Sequence, residues 1–253
     1  MDTIEAFRAL HVPGDPLVLF NIWDAGSAKA VAGAGAKAIA TGSYGVAEAQ
    51  GFKDGETLPL EVVLENLRRI VSVTDLPVTI DLEAGYGDTR DEVAASVAKA
   101  REIGAAGINM EDRMPGEAAL LDVGAAAERI AAAAKSGLHV NARTDVYRGI
   151  NPEDYSPALI DAVIERGRAY ADAGAGSLFV PFLGDHPTIA AICERSPLPV
   201  NVLWGPGRGT MGELAALGVA RISFGHGPWA AAMEWLAAQA REVMAGGTPS
   251  YAD

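Results

Sequence analysis

The sequence predicts an α/β protein, a single (β/α)8 TIM barrel over residues 1–253, and three observations carry that reading. A short β-rich run, a polar loop and an amphipathic helix recur about eight times along the chain. Glycines stand where helices should stop, at Gly35, Gly104, Gly137, Gly174 and Gly218. No Gly-x-Gly-x-x-Gly turn follows the first strand, which lowers the doubly wound open sheet, the other fold with this rhythm.

The elements follow in order. Leu17–Trp23 is the first strand, and Ala25–Ala34 its helix, stopped by Gly35. Ala38–Thr41 is the second strand, and a long loop from Gly42 to Leu58 follows. Pro59 suits the first residue of a helix that reaches Thr74, because its missing N–H costs nothing there. Val78–Glu83 is the third strand, with Arg90–Ile103 as its helix. Ile108–Glu111 and Ala125–Ala134 form the fourth pair, and His139–Arg143 and Ala158–Ala173 the fifth. Ser177–Val180 with Thr188–Arg195, Val200–Leu203 with Met211–Leu217, and Arg221–Phe224 with Trp229–Met244 complete the series. No shift in composition marks a domain boundary.

Composition narrows the function classes. The chain has 253 residues, 49% of them hydrophobic, enough for a sizeable core. A formal charge of −13 argues against nucleic acid and against an anionic membrane surface, both of which need a basic face. The N-terminus lacks the basic and apolar regions of a signal peptide, and no apolar run reaches membrane-spanning length. Cys193 is the only cysteine, so no intrachain disulfide forms and a cytoplasmic setting is expected. Apolar neighbours make Cys193 a buried structural thiol. His139 opens a strand at its N-terminal end and reads as structural, while His11 and His186 read as solvated loop residues. His226 sits at a strand end, as a cap for the last helix or as part of a site.

A barrel keeps its site at the C-terminal ends of its strands. Those ends collect Asp81 and Glu83 on the third, Glu111 on the fourth and Arg143 on the fifth. Spaced i, i+2 in a strand, Asp81 and Glu83 share a face, and like charges side by side call for a cation such as Mg²⁺. Arg143 can fork a substrate carboxylate, or simply neutralise Glu111. The amides of Ser43, Tyr44 and Gly45 can donate to a second carboxylate or an oxyanion. Trp23 and Trp204 can wall a pocket or pack in the core, and Trp23 is kept as a substrate contact.

Six segments occur in order on these strand ends and loops. They are Asn21-Ile22-Trp23-Asp24-Ala25-Gly26-Ser27-Ala28, Gly42-Ser43-Tyr44-Gly45-Val46-Ala47, Phe52-Lys53-Asp54-Gly55-Glu56, Asp81-Leu82-Glu83-Ala84-Gly85-Tyr86-Gly87, Gly107-Ile108-Asn109-Met110-Glu111-Asp112 and Ala142-Arg143-Thr144-Asp145. Together they resemble the isocitrate lyase / phosphoenolpyruvate mutase superfamily, from Phe20 to about Gly225. The resemblance implies a barrel that binds Mg²⁺, or Mn²⁺ in its place, and a small 2-oxo or 2-hydroxy carboxylate. It implies C–C or P–C chemistry through an enolate-like intermediate. It also implies a homo-oligomer, a tetramer or dimer, with the last helix swapped between subunits. On it, Asp81, Glu83, the water-linked Glu111 and the loop residue Asp54 are the metal-site acids. Ser43, Tyr44, Gly45, Asp81, Arg143 and Asn201 hold substrate, and Tyr44, Arg143 and Glu111 carry catalysis.

Two departures shape the expected reaction. The lyases of that family carry a Lys-Lys-Cys-Gly-His-like loop after strand four, whose cysteine is the general acid. Here the loop reads Arg113-Met114-Pro115-Gly116-Glu117-Ala118-Ala119-Leu120-Leu121, with neither cysteine nor lysine. Glu83 stands where those enzymes commonly have Asp. The expected activity is therefore a Mg²⁺-dependent C–C lyase or decarboxylase of an oxaloacetate-like acid. A P–C bond enzyme of the mutase or phosphonopyruvate hydrolase type, with Arg113 or Arg148 for the phosphoryl group, is the first alternative. A non-catalytic oxo-acid-binding barrel is the second.

Overall fold

A computed structural model describes residues 2–252. Eight strands form one parallel sheet in the order β1-β8-β7-β6-β5-β4-β3-β2. They are β1 (Leu17–Leu19), β2 (Ile39–Ala40), β3 (Val78–Asp81), β4 (Gly107–Glu111), β5 (His139–Arg143), β6 (Ser177–Val180), β7 (Val200–Leu203) and β8 (Arg221–Ser223). The two ends of the sheet meet through a bridge between Ile22 and Thr41, with the Ile22 N–H donating to Ala40 O at 2.9 Å. The fold is a (β/α)8 barrel.

The helices are α1 (Thr3–Ala9), α2 (Ala25–Gly33), α3 (Ser43–Ala49), α4 (Leu60–Val71), α5 (Arg90–Ile103), α6 (Val123–Ala134), α7 (Pro157–Asp172), α8 (His186–Arg195), α9 (Met211–Ala216) and α10 (Gly227–Met244). Local chemistry sets their ends. Reciprocal capping boxes open α2 at Asp24/Ser27, α5 at Thr89/Glu92 and α9 at Thr210/Glu213, each satisfying two otherwise orphaned groups. Gly104 ends α5 in the left-handed region at φ 113°, where a Cβ would be strained.

Four sequence expectations are corrected. α1 and α3 were not anticipated: Ser43–Ala49 is helical, so the loop read from Gly42 is shorter. Pro59 is the cap of α4 and not its first residue. β1 stops at Leu19 and β3 at Asp81, so Glu83 lies beyond the strand at φ 48° and the alternating-face argument does not reach it. His11 is not solvated: it is 6% exposed and stacks on His139 at 4.1 Å, where burial and the Arg221 charge push its pKa down to about 3.

α1 explains that pair. Its Phe7 ring is buried under the barrel floor, edge-on to both His11 and His139. A Cβ at Gly107 would come 2.7 Å from Phe7 Cε1, so only glycine lets the plug seat.

The barrel interior is polar where the sequence read as plain strand. The Ser177 hydroxyl donates to Asn141 Oδ1 at 2.6 Å, and Asn141 Nδ2 donates to Asn109 Oδ1 at 2.8 Å. Arg221 Nη2 reaches the same Asn109 oxygen at 2.9 Å. These bonds fix the side chains relative to one another, although the buried Arg221 Nη1 has no hydrogen-bond partner. It forms the floor on which the strand-end residues stand.

Candidate active site

At the C-terminal end of the strands lies a cavity of about 250 Å³. That is smaller than the roughly 300 Å³ at which drug-sized pockets begin, so it suits a metabolite of a few carbons. Asp54 and Asp81 line it together with Ser43 and Tyr44, and Arg143, Arg148 and Phe182 line it as well. Asn109 and Ser223 of the polar interior also reach it.

Asp81 is the last residue of β3, and its backbone N–H donates to Thr41 Oγ1 at 2.9 Å. Its carboxylate accepts from the Ser43 amide at 3.3 Å and the Glu83 amide at 3.2 Å. Burial pushes its pKa up, Arg143 pulls it back, and Asp54 pushes it up again. The Ser43 amide, expected to meet substrate, is thus committed to Asp81.

The four expected metal acids divide into two kinds. Asp81 and Asp54 face the cavity. Glu83 instead accepts from the amides of Gly55 and Glu56 at 2.8 and 3.0 Å, and burial, then Asp81 and Asp54, push its pKa up to about 8. Glu111 pairs with Arg143 Nη1 at 2.7 Å, and burial outweighs that cation to bring its pKa up to about 7. Among the described residues no three His, Cys, Asp or Glu side chains gather closely enough to share one ion. Mg²⁺ does not need three: it keeps several waters and is commonly held by one or two carboxylates and the substrate. The half-buried Asp81 and the exposed Asp54, facing one small cavity, fit that demand.

Arg143 is the hub of the opposite wall. Its Nε and Nη2 fork Asp145 at 2.7 and 3.0 Å. With Nη1 on Glu111, two of a guanidinium's five N–H groups remain for a ligand. Arg143 thus neutralises Glu111, one of the two alternatives read from the sequence, and it also lines the cavity. Asp145, missed in the sequence, is the keystone, since Arg113 and Arg148 also reach it, each at 3.3 Å. Burial would raise Asp145; Arg143, then Arg113 and Arg148, hold it below the usual carboxylate range. Arg148 lies over the Phe182 ring at 5.4 Å, a cation–π contact. Arg113 does not line the cavity and binds the loop carbonyl of Glu117 at 2.8 Å.

Three expected substrate contacts stand away from the cavity. Trp23 packs on the core and offers its carbonyl to Asn66 at 2.9 Å. Gly45 is buried so closely that a Cβ would meet Trp229 at 3.1 Å. Asn201 lies below the cavity, donating to Ser223 at 3.2 Å. Tyr44 does line the cavity, with its ring 5.5 Å from that of His226, which joins it there. Asn21 is a missed member: its Oδ1 accepts from the Phe224 and Gly225 amides at 2.8 and 2.9 Å, pinning the barrel seam. Its two-residue spacing from Leu19 was the available signal. Cys193 sits in α8, not in the cavity lining, and burial pushes its thiol up to about 12, so it is no general acid here.

The chain is similar to known proteins along most of its length. The phosphoenolpyruvate phosphomutase family model matches residues 7–244. An uncharacterised protein of Mycobacterium tuberculosis H37Rv is 37% identical, covering 95% of this chain and 90% of that one. The 2-methylisocitrate lyase of Escherichia coli K12 is 33% identical over 69% of this chain and 60% of that enzyme. An oxaloacetate decarboxylase of Rhodopseudomonas palustris BisA53 is 29% identical over 79% of this chain and 70% of that enzyme. A crystal structure from Burkholderia cenocepacia J2315, provisionally assigned as a phosphonomutase, superposes with a TM-score of 0.92 at 48% identity, over 94% of this chain and 97% of that one.

Proposed function

The chain belongs to the phosphoenolpyruvate phosphomutase family of the isocitrate lyase / phosphoenolpyruvate mutase superfamily, and from that premise we propose that it is a Mg²⁺-dependent lyase or decarboxylase cleaving a C–C bond of a small, oxaloacetate-like 2-oxo or 2-hydroxy carboxylate. The observation that carries this reading is the cavity itself: two carboxylates, Asp54 and Asp81, beside the guanidinium of Arg143, with no cysteine or lysine lining it. When bound at Asp81 and Asp54, Mg²⁺ would polarise the 2-oxo group as a Lewis acid, and Mn²⁺ can serve in its place. Arg143 holds a carboxylate with its two remaining N–H groups. In a decarboxylation the bond to the departing carboxylate breaks, its electron pair forms an enolate, and CO₂ leaves. A proton then returns to that carbon from Tyr44, which lines the cavity, or from water. Purified protein with Mg²⁺ should convert oxaloacetate or a related oxo-diacid, with CO₂ or a shorter acid as product. A panel of such acids giving neither turnover nor binding would sink the proposal; binding without turnover at high enzyme concentration would make this a non-catalytic oxo-acid barrel.

A P–C reading has one observation in its favour. Arg148 lines the cavity next to Arg143, and two guanidiniums could hold a phosphoryl group. ³¹P NMR on phosphonopyruvate decides it.

Stability should respond to pH and cation together. A carboxyl whose folded pKa stands above its unfolded value lends stability that is complete below the unfolded value and lost as pH rises through the folded one. Glu111 and Glu83, raised from 4.5 to about 7 and 8, place that loss between mildly acidic pH and about pH 8, with little further change above it. Without divalent cation the melting temperature should fall from pH 6 to pH 8.5, and the gain on adding Mg²⁺ should be larger at the higher pH. A gain independent of pH would contradict electrostatic coupling of Glu111 and Glu83 to a cation held at Asp81 and Asp54.

We also propose that the protein is a homo-oligomer, dimer or tetramer, exchanging α10 between subunits in the cytoplasm. Of α10 only Pro228 is buried, while Trp235 and Leu236 are 50% and 53% exposed. An apolar groove of about 600 Å³ beside β1 and α2, with Phe20 47% exposed, is where a barrel's last helix should lie. Light scattering should give a multiple of 26.2 kDa, and removing residues 227–253 should leave monomers or unfolded chain. Among the described residues no helix is long and apolar enough to cross a membrane.

A further inference from the structure

The non-glycine residues with positive φ among the described residues fall in one place: Glu56 at 55°, Glu83 at 48° and Tyr86 at 49°. Such conformations persist only where surrounding contacts enforce them. Here the three residues bind one another. Glu83 Oε2 accepts from the Gly55 and Glu56 amides at 2.8 and 3.0 Å, and Oε1 accepts from Glu56 at 3.0 Å. The Tyr86 hydroxyl donates to Glu83 Oε1 at 3.4 Å, and the Tyr86 amide donates to Glu56 Oε1 at 3.0 Å. The result is a ring of contacts between the turn after β3 and the loop after α3. Asp54, which lines the cavity, is the residue immediately before the first anchored amide. Glu83 itself does not line the cavity.

We propose that Glu83 is a positioning residue, a latch whose carboxyl group holds the Gly55–Glu56 backbone and so delivers Asp54 to the cavity beside Asp81, and that it is not itself a metal ligand. The side-chain length matters. An aspartate would be shorter by one C–C bond, about 1.5 Å, taking both amides out of hydrogen-bond range. A glutamine would keep the length: its carbonyl can accept both amides while its NH₂ faces the Tyr86 oxygen. The importance of Asp54 rests on the metal reading above; the latch itself does not.

The test crosses length against charge. In Glu83→Asp, hydrogen exchange of a peptide covering residues 52–58 should speed up at least about tenfold, as an opened hydrogen-bonded turn does. In Glu83→Gln it should stay within about threefold of wild type. Asp is tolerated at positive φ better than Glu, so faster exchange in Glu83→Asp would not reflect added backbone strain. Mn²⁺ titration followed by electron paramagnetic resonance should show Glu83→Asp weakened toward the Asp54→Ala level and Glu83→Gln near wild type. In an Asp54→Ala background, Glu83→Asp should have no further effect on Mn²⁺, because the two act through one route. Unchanged exchange in Glu83→Asp, or Mn²⁺ affinity lost in Glu83→Gln and kept in Glu83→Asp, overturns the latch. A wild type that binds no Mn²⁺ would instead sink the metal reading, and exchange would still judge the latch.

Discussion

Asp81→Asn should abolish divalent-cation binding while leaving the barrel folded. Outer-shell partners of a metal cost about 10–100-fold in affinity when removed, so loss of the acid that faces the cavity should exceed about 100-fold for Mn²⁺. Turnover of any substrate that depends on the ion should fall with it. The structural cost is small. Asn keeps one acceptor for the amides of Ser43 and Glu83, so one hydrogen bond worth about 1 kcal/mol is lost. Against that, removing a charge that pushes up both Glu83 and Glu111 relieves repulsion. The melting temperature should therefore move by only a few degrees, on a scale of about 2–4 °C per kcal/mol. The same loss of charge should lower the Glu111 pKa below its value of about 7, which a pH–rate profile or carboxyl-resolved NMR would read. Retention of Mn²⁺ affinity within about threefold would remove Asp81 from the metal corner.

Asp81 was legible in the sequence because its signal is local: a β-rich run ends in a carboxylate, and the strand does end there. Glu83 was legible as important but not in its role. Its role depends on a left-handed backbone and on amides 27 and 28 residues away, and neither leaves a trace in residue spacing. The barrel itself was readable because its rhythm is a property of consecutive residues. Helix α3 was hidden: its Ser-Tyr-Gly start lacks a capping side chain, and tertiary packing of Gly45, Val46 and Ala47 supplies what propensity does not. His11 misled for the same reason, since α1, which buries it, was not seen.

The polar interior shows why part of the site escaped. Asn21, Asn109 and Asn141 alternate with apolar residues, as edge positions of a half-exposed strand would. In a closed barrel those positions point inward, and only closure makes them partners. Asp145 is the clearest case. It closes the last of the six family-like segments, but its spacing from Arg143 assigns it no role, yet it is 3% exposed and receives three guanidiniums.

Arg143→Met should be the most damaging single change, in stability as well as in ligand binding. It removes the cation from two carboxylates at once, Glu111 at 2.7 Å and the buried Asp145 at 2.7 Å. Stripping one partner from a buried pair costs about 3–5 kcal/mol; Arg113 and Arg148 still face Asp145, so most of the loss falls on Glu111, left with only the more distant Arg113 at 3.9 Å. For a domain of this size that corresponds to a drop of roughly 6–20 °C in melting temperature. The sign of the pH effect follows. Arg143 is the largest influence lowering Glu111, so without it the Glu111 pKa rises above about 7 and the neutral form is favoured further. Part of the lost stability should therefore return as pH is lowered from 8 to 6, a trend steeper than in wild type. Combining Arg143→Met with Glu111→Gln should recover stability relative to the single variant, since the stranded charge is gone. Arg143→Lys keeps a charge but not the fork, so it should be folded at 25 °C yet bind oxalate in the presence of Mg²⁺ at least about tenfold more weakly. A Lys variant that binds oxalate as wild type does would show that Arg143 serves Glu111 and Asp145 alone, and the carboxylate would have to be held by Arg148.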